Sequence, residues 1–153
     1  MRKQIKFRWS ERKDAVENAK AVLPKLVKEY LAMGRKAANG KGSEEDLHQF
    51  RLATKRFRYT LEIFAPLYGP GLERWLKRLR AVQDALGEVQ DCHAVGSMSA
   101  LKKHRPMQEW LKRQSEKKTV AFQRLWAREF GGLSTERNWL AYLQRYAREK
   151  TRS

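Results

Sequence analysis

The spacing of the apolar residues is the feature of this sequence that most limits its fold. Apolar side chains recur every three or four residues along almost the whole chain, and no run of alternating β-branched residues is long enough for a strand. Glycine and proline, which interrupt helices, gather at a few points such as residues 68–71 and 131–132. We therefore predict an all-α fold, an antiparallel bundle of five to six helices. The length of 153 residues fits a single domain spanning residues 1–153.

The breaks in this pattern predict where the first two helices begin and end. Ser10 is a candidate N-cap for a helix that reaches about Met33, and Pro24 should kink or split that helix. Ser43, followed by three acidic residues, is a strong start for a second helix that ends near Leu67. The remaining helices are expected at about residues 72–89, 91–104 and 106–130, and from residue 134 or 135 onward.

The charge of the chain points to an anionic partner. It has 34 Lys and Arg against 17 Asp and Glu, a net charge of +17, and residues 48–80 hold eight of the basic residues but only two acidic ones. One cysteine cannot form an internal disulfide, and no apolar run approaches the ~18 residues of a membrane span. The N-terminal residues are basic without an apolar core, so we expect no signal peptide, no membrane contact and a cytoplasmic protein.

Two stripes of side chains are predicted on the second helix. At about 100° per residue, one side carries a core stripe of Leu47, Phe50, Phe57, Leu61 and Phe64. The neighbouring side carries a basic line about 15 Å long, which is formed by His48, Arg51, Lys55 and Arg58. Like charges at this spacing repel, and Glu62, one turn beyond Arg58, offsets part of the charge. A bound linear polyanion would offset more of it.

The third helix adds a second basic surface. Lys77, Arg80 and Asp84 share one of its faces, beside an apolar stripe. If the second and third helices pack antiparallel, the turn at Gly69 brings both basic faces to the rim of one groove, and Asp84 holds an arginine in place. The other interpretation is a solvated basic face whose long side chains cover apolar neighbours.

Three segments of this region carry a characteristic set of residues. They read LHQFRLATKRFRY at 47–59, LEIFAPLYG at 61–69 and LKRLRAVQDALG at 76–87, with Asp91 beyond them. The histidine, the arginine one turn later, the Lys-Arg-x-Arg-Tyr cluster and the Gln-Asp-x-Leu-Gly element occur here in order. This block, at about residues 45–100, resembles the CHAD family, the conserved-histidine α-helical domain.

The resemblance implies an all-helical module that binds inorganic polyphosphate in a basic channel and can direct proteins to polyphosphate granules. It implies these ligand-binding residues: His48, Arg51, Lys55, Arg56, Arg58, Lys77 and Arg80. Tyr59 is a further candidate donor, whereas Arg56 falls off the basic line. Asp84 and Asp91 match acidic positions of the family pattern and are interpreted as residues that orient the basic groups.

The resemblance also bears on oligomeric state. The family's full domain is about twice as long as this chain and has two related helical halves, and this sequence resembles the second half. We therefore expect a homodimer that rebuilds a channel from two copies, because closed twofold assemblies are the commonest oligomers. Three tryptophans of the C-terminal helices supply either that interface or the core: Trp110, Trp126 and Trp139.

Two other functional classes stay open. A general RNA- or DNA-binding protein would use the same charge together with interleaved aromatic residues, namely Phe57, Tyr59, Trp75, Tyr142 and Tyr146. An enzyme is disfavoured, because Cys92 and His93 are adjacent and cannot face each other on a helix. The three histidines are also too far apart for local metal-ligand spacing. We expect no catalysis, no cofactor and no metal.

Overall fold

A computed structural model describes residues 8–40, 42–145 and 147, and these residues form helices without any strand. The helices, in chain order, are α1 (Ala15–Ala37), α2 (Glu44–Tyr68), α3 (Pro70–Gly96), α4 (Arg105–Phe130) and α5 (Thr135–Arg145). The prediction of an all-α bundle is confirmed, with five helices in the described residues. None of these helices combines the length and the hydrophobicity that crossing a bilayer requires.

The first helix starts later than predicted. Asp14, not Ser10, is its N-cap, and it forms a capping box in which Asp14 Oδ1 accepts from the Glu17 N–H at 2.7 Å. Ser10 instead lies in a turn that the buried Asn18 holds, since the Ser10 N–H donates to Asn18 Oδ1 at 2.8 Å. The helix does not start at Ser10 because the Asn18 side chain bonds both the N–H and the carbonyl of Ser10, which holds that residue in the turn.

Pro24 does not split α1. A proline inside a helix leaves the carbonyl four residues earlier without its usual N–H partner, here that of Lys20. Gln144 of α5 supplies a replacement, because its Nε2 donates to the Lys20 carbonyl at 3.1 Å. The interruption in α1 thereby becomes a contact with α5.

The second helix begins and ends close to the predicted positions. Ser43 is its N-cap, with the Asp46 N–H donating to Ser43 Oγ at 3.1 Å. One residue, Gly69, separates α2 from α3, and its φ of +70° suits a residue without a Cβ. Two hydrogen bonds between α2 and α5 secure this turn: the Tyr142 hydroxyl donates to the Tyr68 carbonyl, and the Tyr68 hydroxyl donates to the Leu143 carbonyl.

The predicted short helix from Asp91 to His104 is wrong. Asp91 lies inside α3, which continues to Gly96 because Leu86 and Val89 extend its buried stripe past Gly87. This packing outweighs the cost of about 1 kcal/mol for a glycine in a helix interior. Residues 97–104 form turns, and His104 is the N-cap of α4, with its Nδ1 accepting from the Met107 N–H.

The core is rich in aromatic side chains from all five helices. Trp139 stacks on Trp75 with 4.3 Å between ring centroids, and Trp126 packs edge-on against Tyr30. The Tyr30 hydroxyl bonds the buried Thr54, whose own proton goes to the Phe50 carbonyl, so Tyr30 is the donor. Burial raises the pKa of Tyr30, which keeps this hydroxyl protonated.

We predict opposite effects for two helical glycines. A Cβ on Gly34 would overlap the indole of Trp126, so Gly34→Ala should lower the free energy of unfolding by about 1–3 kcal/mol. At Gly87 the nearest atom to a Cβ would be Arg51 Nε at 3.8 Å, an ordinary contact. Gly87→Ala should therefore be neutral or stabilise by up to about 1 kcal/mol. Urea unfolding followed by circular dichroism measures both, and equal losses would contradict this account of the core.

Candidate functional site

A row of polar contacts joins α2 to α3 along one side of the helical hairpin. Three side-chain pairs form it: His48 Nδ1 with Gln90 Oε1 at 3.0 Å, Arg58 Nε with Gln83 Oε1 at 3.0 Å, and Glu62 Oε1 with Arg80 Nη2 at 3.7 Å. The residue number rises along α2 as its partner's number falls along α3. The two helices therefore pack antiparallel, as predicted, with basic residues of both helices on the same side.

Arg58 is the most firmly held cation of this row. Its side chain is only 16 % exposed, and Nη1 donates to Glu62 Oε1 at 3.0 Å while Nε donates to Gln83. Its guanidinium also lies 4.7 Å from the centroid of the Tyr59 ring. The predicted offset by Glu62 is thus present, and the guanidinium is fixed in direction with further N–H donors left for a ligand.

Arg51 differs from Arg58 because no carboxylate neutralises it among the described residues. It lies half-buried against Gly87 of α3, and its Nε is buried without a hydrogen-bond partner. In the part of the chain that the structure describes, no carboxylate forms an ion pair with Arg51. An anion that reaches the outer N–H groups of this guanidinium would meet no competing carboxylate in the described residues, because none is paired with Arg51.

The remaining candidates on α2 lie further out. Lys55 and Tyr59 are exposed, and Lys55 Nζ lies 5.8 Å from the centroid of the Tyr59 ring. Arg56 is exposed about a quarter turn away from the row, as its spacing predicted. On α3, the candidate Lys77 is exposed as well. We define the basic face as the residues that the structure brings together: His48, Arg51, Lys55, Arg58, Tyr59 and Arg80.

The orienting function predicted for Asp84 and Asp91 is not seen. Both are exposed, and among residues 8–40, 42–145 and 147 neither forms an ion pair or a side-chain hydrogen bond. The residues just before them, Gln83 and Gln90, face α2 instead, because one helical step turns a side chain by about 100°. Gln83 and Gln90 have the same seven-residue separation as Asp84 and Asp91, so the sequence spacing alone did not distinguish the two pairs.

Acidic residues do orient Arg80. Its Nη1 donates to Glu73 at 2.7 Å, and Glu62 lies on its other side. Hydrogen bonding to Glu73 raises the pKa of Arg80 above its usual value, so this residue stays charged at any physiological pH. Glu62 thus contacts one arginine from each helix of the hairpin.

His93 extends the row at the far end of the hairpin, which the sequence did not indicate. Its Nδ1 lies 3.5 Å from Glu44 Oε2, and its Nε2 lies 3.3 Å from Ser115 Oγ of α4. The two contacts join α3 to α2 and to α4. In the described residues, no group of three or more His, Cys, Asp or Glu is placed to hold a metal ion.

The aromatic residues proposed for base stacking are mostly unavailable on this face. Phe57 is buried, Trp75 stacks on Trp139, and the Tyr142 hydroxyl bonds the Tyr68 carbonyl. Of the four candidates that the structure describes, Tyr59 is the exposed one, with 47 % of its surface accessible. Tyr146 lies outside the described residues.

Comparison with known proteins supports the resemblance. A family model described as the CHAD domain matches residues 4–100 of the 153-residue chain. The match includes α1, α2 and α3 and therefore the whole basic face, and it begins well before the predicted block at about residue 45. No curated protein and no solved structure matches the chain.

We predict that Arg58 and Gln83 are coupled energetically. A double-mutant cycle with Arg58→Ala and Gln83→Ala should give a coupling of about 1 kcal/mol in the free energy of unfolding. Either substitution removes the half-buried hydrogen bond from the Arg58 guanidinium to the Gln83 side-chain carbonyl oxygen, so the second substitution costs less than it does alone. The matched cycle of Arg56→Ala with Gln83→Ala should give no more than about 0.5 kcal/mol, since the Arg56 side chain points elsewhere. Urea denaturation measures both cycles, and equal couplings would contradict the contact.

Proposed function

Because the chain belongs to the CHAD domain family, we propose that it binds inorganic polyphosphate on the basic face and catalyses no reaction. The observation that carries this proposal is the half-buried guanidinium of Arg51, which has no anionic partner in the described residues. An arginine in this state, within a row of further cations, favours a multiply charged ligand. We also propose that this binding holds the protein at polyphosphate granules.

The shape of the basic face suits a linear polymer of phosphates. The line from His48 to Arg58 covers ten helical rises, about 15 Å, and Arg80 continues it across the hairpin beyond Glu62. Polyphosphate has no bases to read, so its recognition depends on donors to phosphate oxygens. Guanidinium groups bind such oxygens through two parallel N–H bonds, and Arg51, Arg58 and Arg80 are spaced along the face.

The residues around the arginines support binding rather than catalysis. Glu62, the carboxylate at the centre of the row, already accepts from Arg58 and lies near Arg80. Gln83 and Gln90 are neutral amides that fix Arg58 and His48 without competing for the ligand's charge. These groups position cations, and we assign none of them to a nucleophile or a general base.

We propose further that two copies pair, with their basic faces toward a shared polymer. Trp126 and Trp139 are buried in the core and are not available for an interface. Tyr59, at the edge of the basic face, is 47 % exposed, and Ile63, one turn further along α2, is 75 % exposed. An apolar edge next to a cationic face supports a contact that bound polyphosphate would complete by neutralising both faces.

We predict that charge reversal on the basic face removes polyphosphate binding. Lys55→Glu combined with Arg58→Glu should weaken the affinity at least about 30-fold, because two phosphate contacts are lost. The matched control is Lys25→Glu with Lys28→Glu on α1, which makes the same change of charge at exposed sites and should alter the affinity by less than about threefold. The measurement is binding of labelled long-chain polyphosphate at ~150 mM salt.

Three readouts make this experiment decisive. Competition with RNA and DNA at equal phosphate concentration should leave polyphosphate the preferred ligand. Light scattering should give twice the 18.1 kDa mass of one chain in the complex, and a single chain per complex would contradict the pairing alone. Equal losses in the Lys55/Arg58 variant and the Lys25/Lys28 control, with both proteins folded, would contradict the proposed site.

A further inference from the structure

The outward side of α4 carries a second basic surface. One line of exposed side chains follows the helix at intervals of three or four residues, and we call it the α4 stripe: Trp110, Arg113, Lys117, Val120, Arg124 and Arg128. It covers eighteen helical rises, about 27 Å. Leu111, Phe122 and Trp126 are buried on the opposite side of α4. The stripe therefore faces away from the core.

Among the described residues, most cations of the α4 stripe form no ion pair, unlike Lys118 on the side of α4 that faces α3. Lys118, on the α3 side, lies 3.1 Å from Glu88. In the described residues, Arg113, Lys117 and Arg124 form no ion pair, although Glu116 lines the same shallow depression. At the end of the stripe, Arg128 contacts Glu129.

Trp110 gives the α4 stripe a feature that a polyphosphate surface does not need. It is 49 % exposed, and in the described residues its ring stacks on no other aromatic ring, whereas Trp126 and Trp139 both pack within the core. Val120, in the middle of the stripe, is also exposed at 42 %. Bases of a single strand stack on such aromatic and apolar surfaces while cations contact the backbone.

We propose that the α4 stripe binds single-stranded nucleic acid and that it does so independently of the basic face. The two surfaces share no residue, and α4 lies beyond residue 100, where the family match ends. Polyphosphate offers charge without bases, so it gains nothing from Trp110. A nucleic acid strand uses both parts of the stripe. This inference does not depend on the proposed function of the basic face.

The test compares two ligands on four folded variants. A labelled single-stranded RNA of mixed sequence and labelled polyphosphate are titrated against Trp110→Ala, Arg113→Glu with Lys117→Glu, Lys55→Glu with Arg58→Glu, and the Lys25→Glu with Lys28→Glu control. Trp110→Ala should weaken RNA binding about tenfold, because a stacking platform is lost, and should change polyphosphate affinity less than about twofold. The Arg113/Lys117 variant should weaken RNA binding at least as much.

The outcomes separate this inference from the proposed function. RNA that stays bound to the wild-type protein when polyphosphate saturates the basic face supports two independent surfaces. The inference is overturned if polyphosphate displaces all of the RNA, or if RNA affinity responds to Lys55→Glu with Arg58→Glu but not to the α4 variants. It is also overturned if the α1 control loses as much RNA affinity as the Arg113/Lys117 variant. The polyphosphate titrations alone decide the function of the basic face.

Discussion

The turn at Gly69 is the constraint on which the functional face depends. A single residue reverses the chain between two helices of 25 and 27 residues, so the register of α2 against α3 is set at their junction. The contacts then follow at increasing distance from the turn: Glu62 with Arg80, Arg58 with Gln83, and His48 with Gln90. The hydroxyl groups of Tyr68 and Tyr142 tie this junction to α5. A longer connection would let the helices slide, and the cations of the two helices would lose their common side.

The cations described above are of two kinds, those that carboxylates or amides hold and those without such partners. The difference explains how so much positive charge can be placed on one small domain. Arg58 and Arg80 are held by carboxylates and amides, which lowers the cost of placing them close together. In the described residues, Arg51 and three cations of the α4 stripe, Arg113, Lys117 and Arg124, have no such compensation, whereas Arg128 contacts Glu129. Charge of the first kind is part of the folded structure, whereas charge of the second kind is stabilised most by something that binds.

The sequence predicted much of the fold and the positions of most basic residues, because both follow from helical periodicity. The apolar stripe of α2 was derived in this way, the Ser43 cap from the acidic residues that follow it, and the antiparallel arrangement from the turn at Gly69. Periodicity alone did not show which side of α3 faces α2. Asp84 was predicted to orient an arginine, but the residue that contacts Arg58 is Gln83, one position earlier. The continuation of α3 through Gly87 and of α1 through Pro24 depends on tertiary contacts, which local signals do not contain. The exposure of Trp110 likewise became clear only once Trp126 and Trp139 were seen to fill the core.

The hydrogen bond between Gln144 and the Lys20 carbonyl has a consequence for the order in which the molecule forms. It joins residues 124 positions apart in sequence, so it is among the most non-local contacts of the bundle. Such contacts form late, because a long loop must close before they contribute. During synthesis the ribosome releases α5 after the other four helices, and until then the carbonyl left open by Pro24 can be satisfied only by water. The side-chain bridge across the break at Pro24 is therefore available only after α5 has been synthesised.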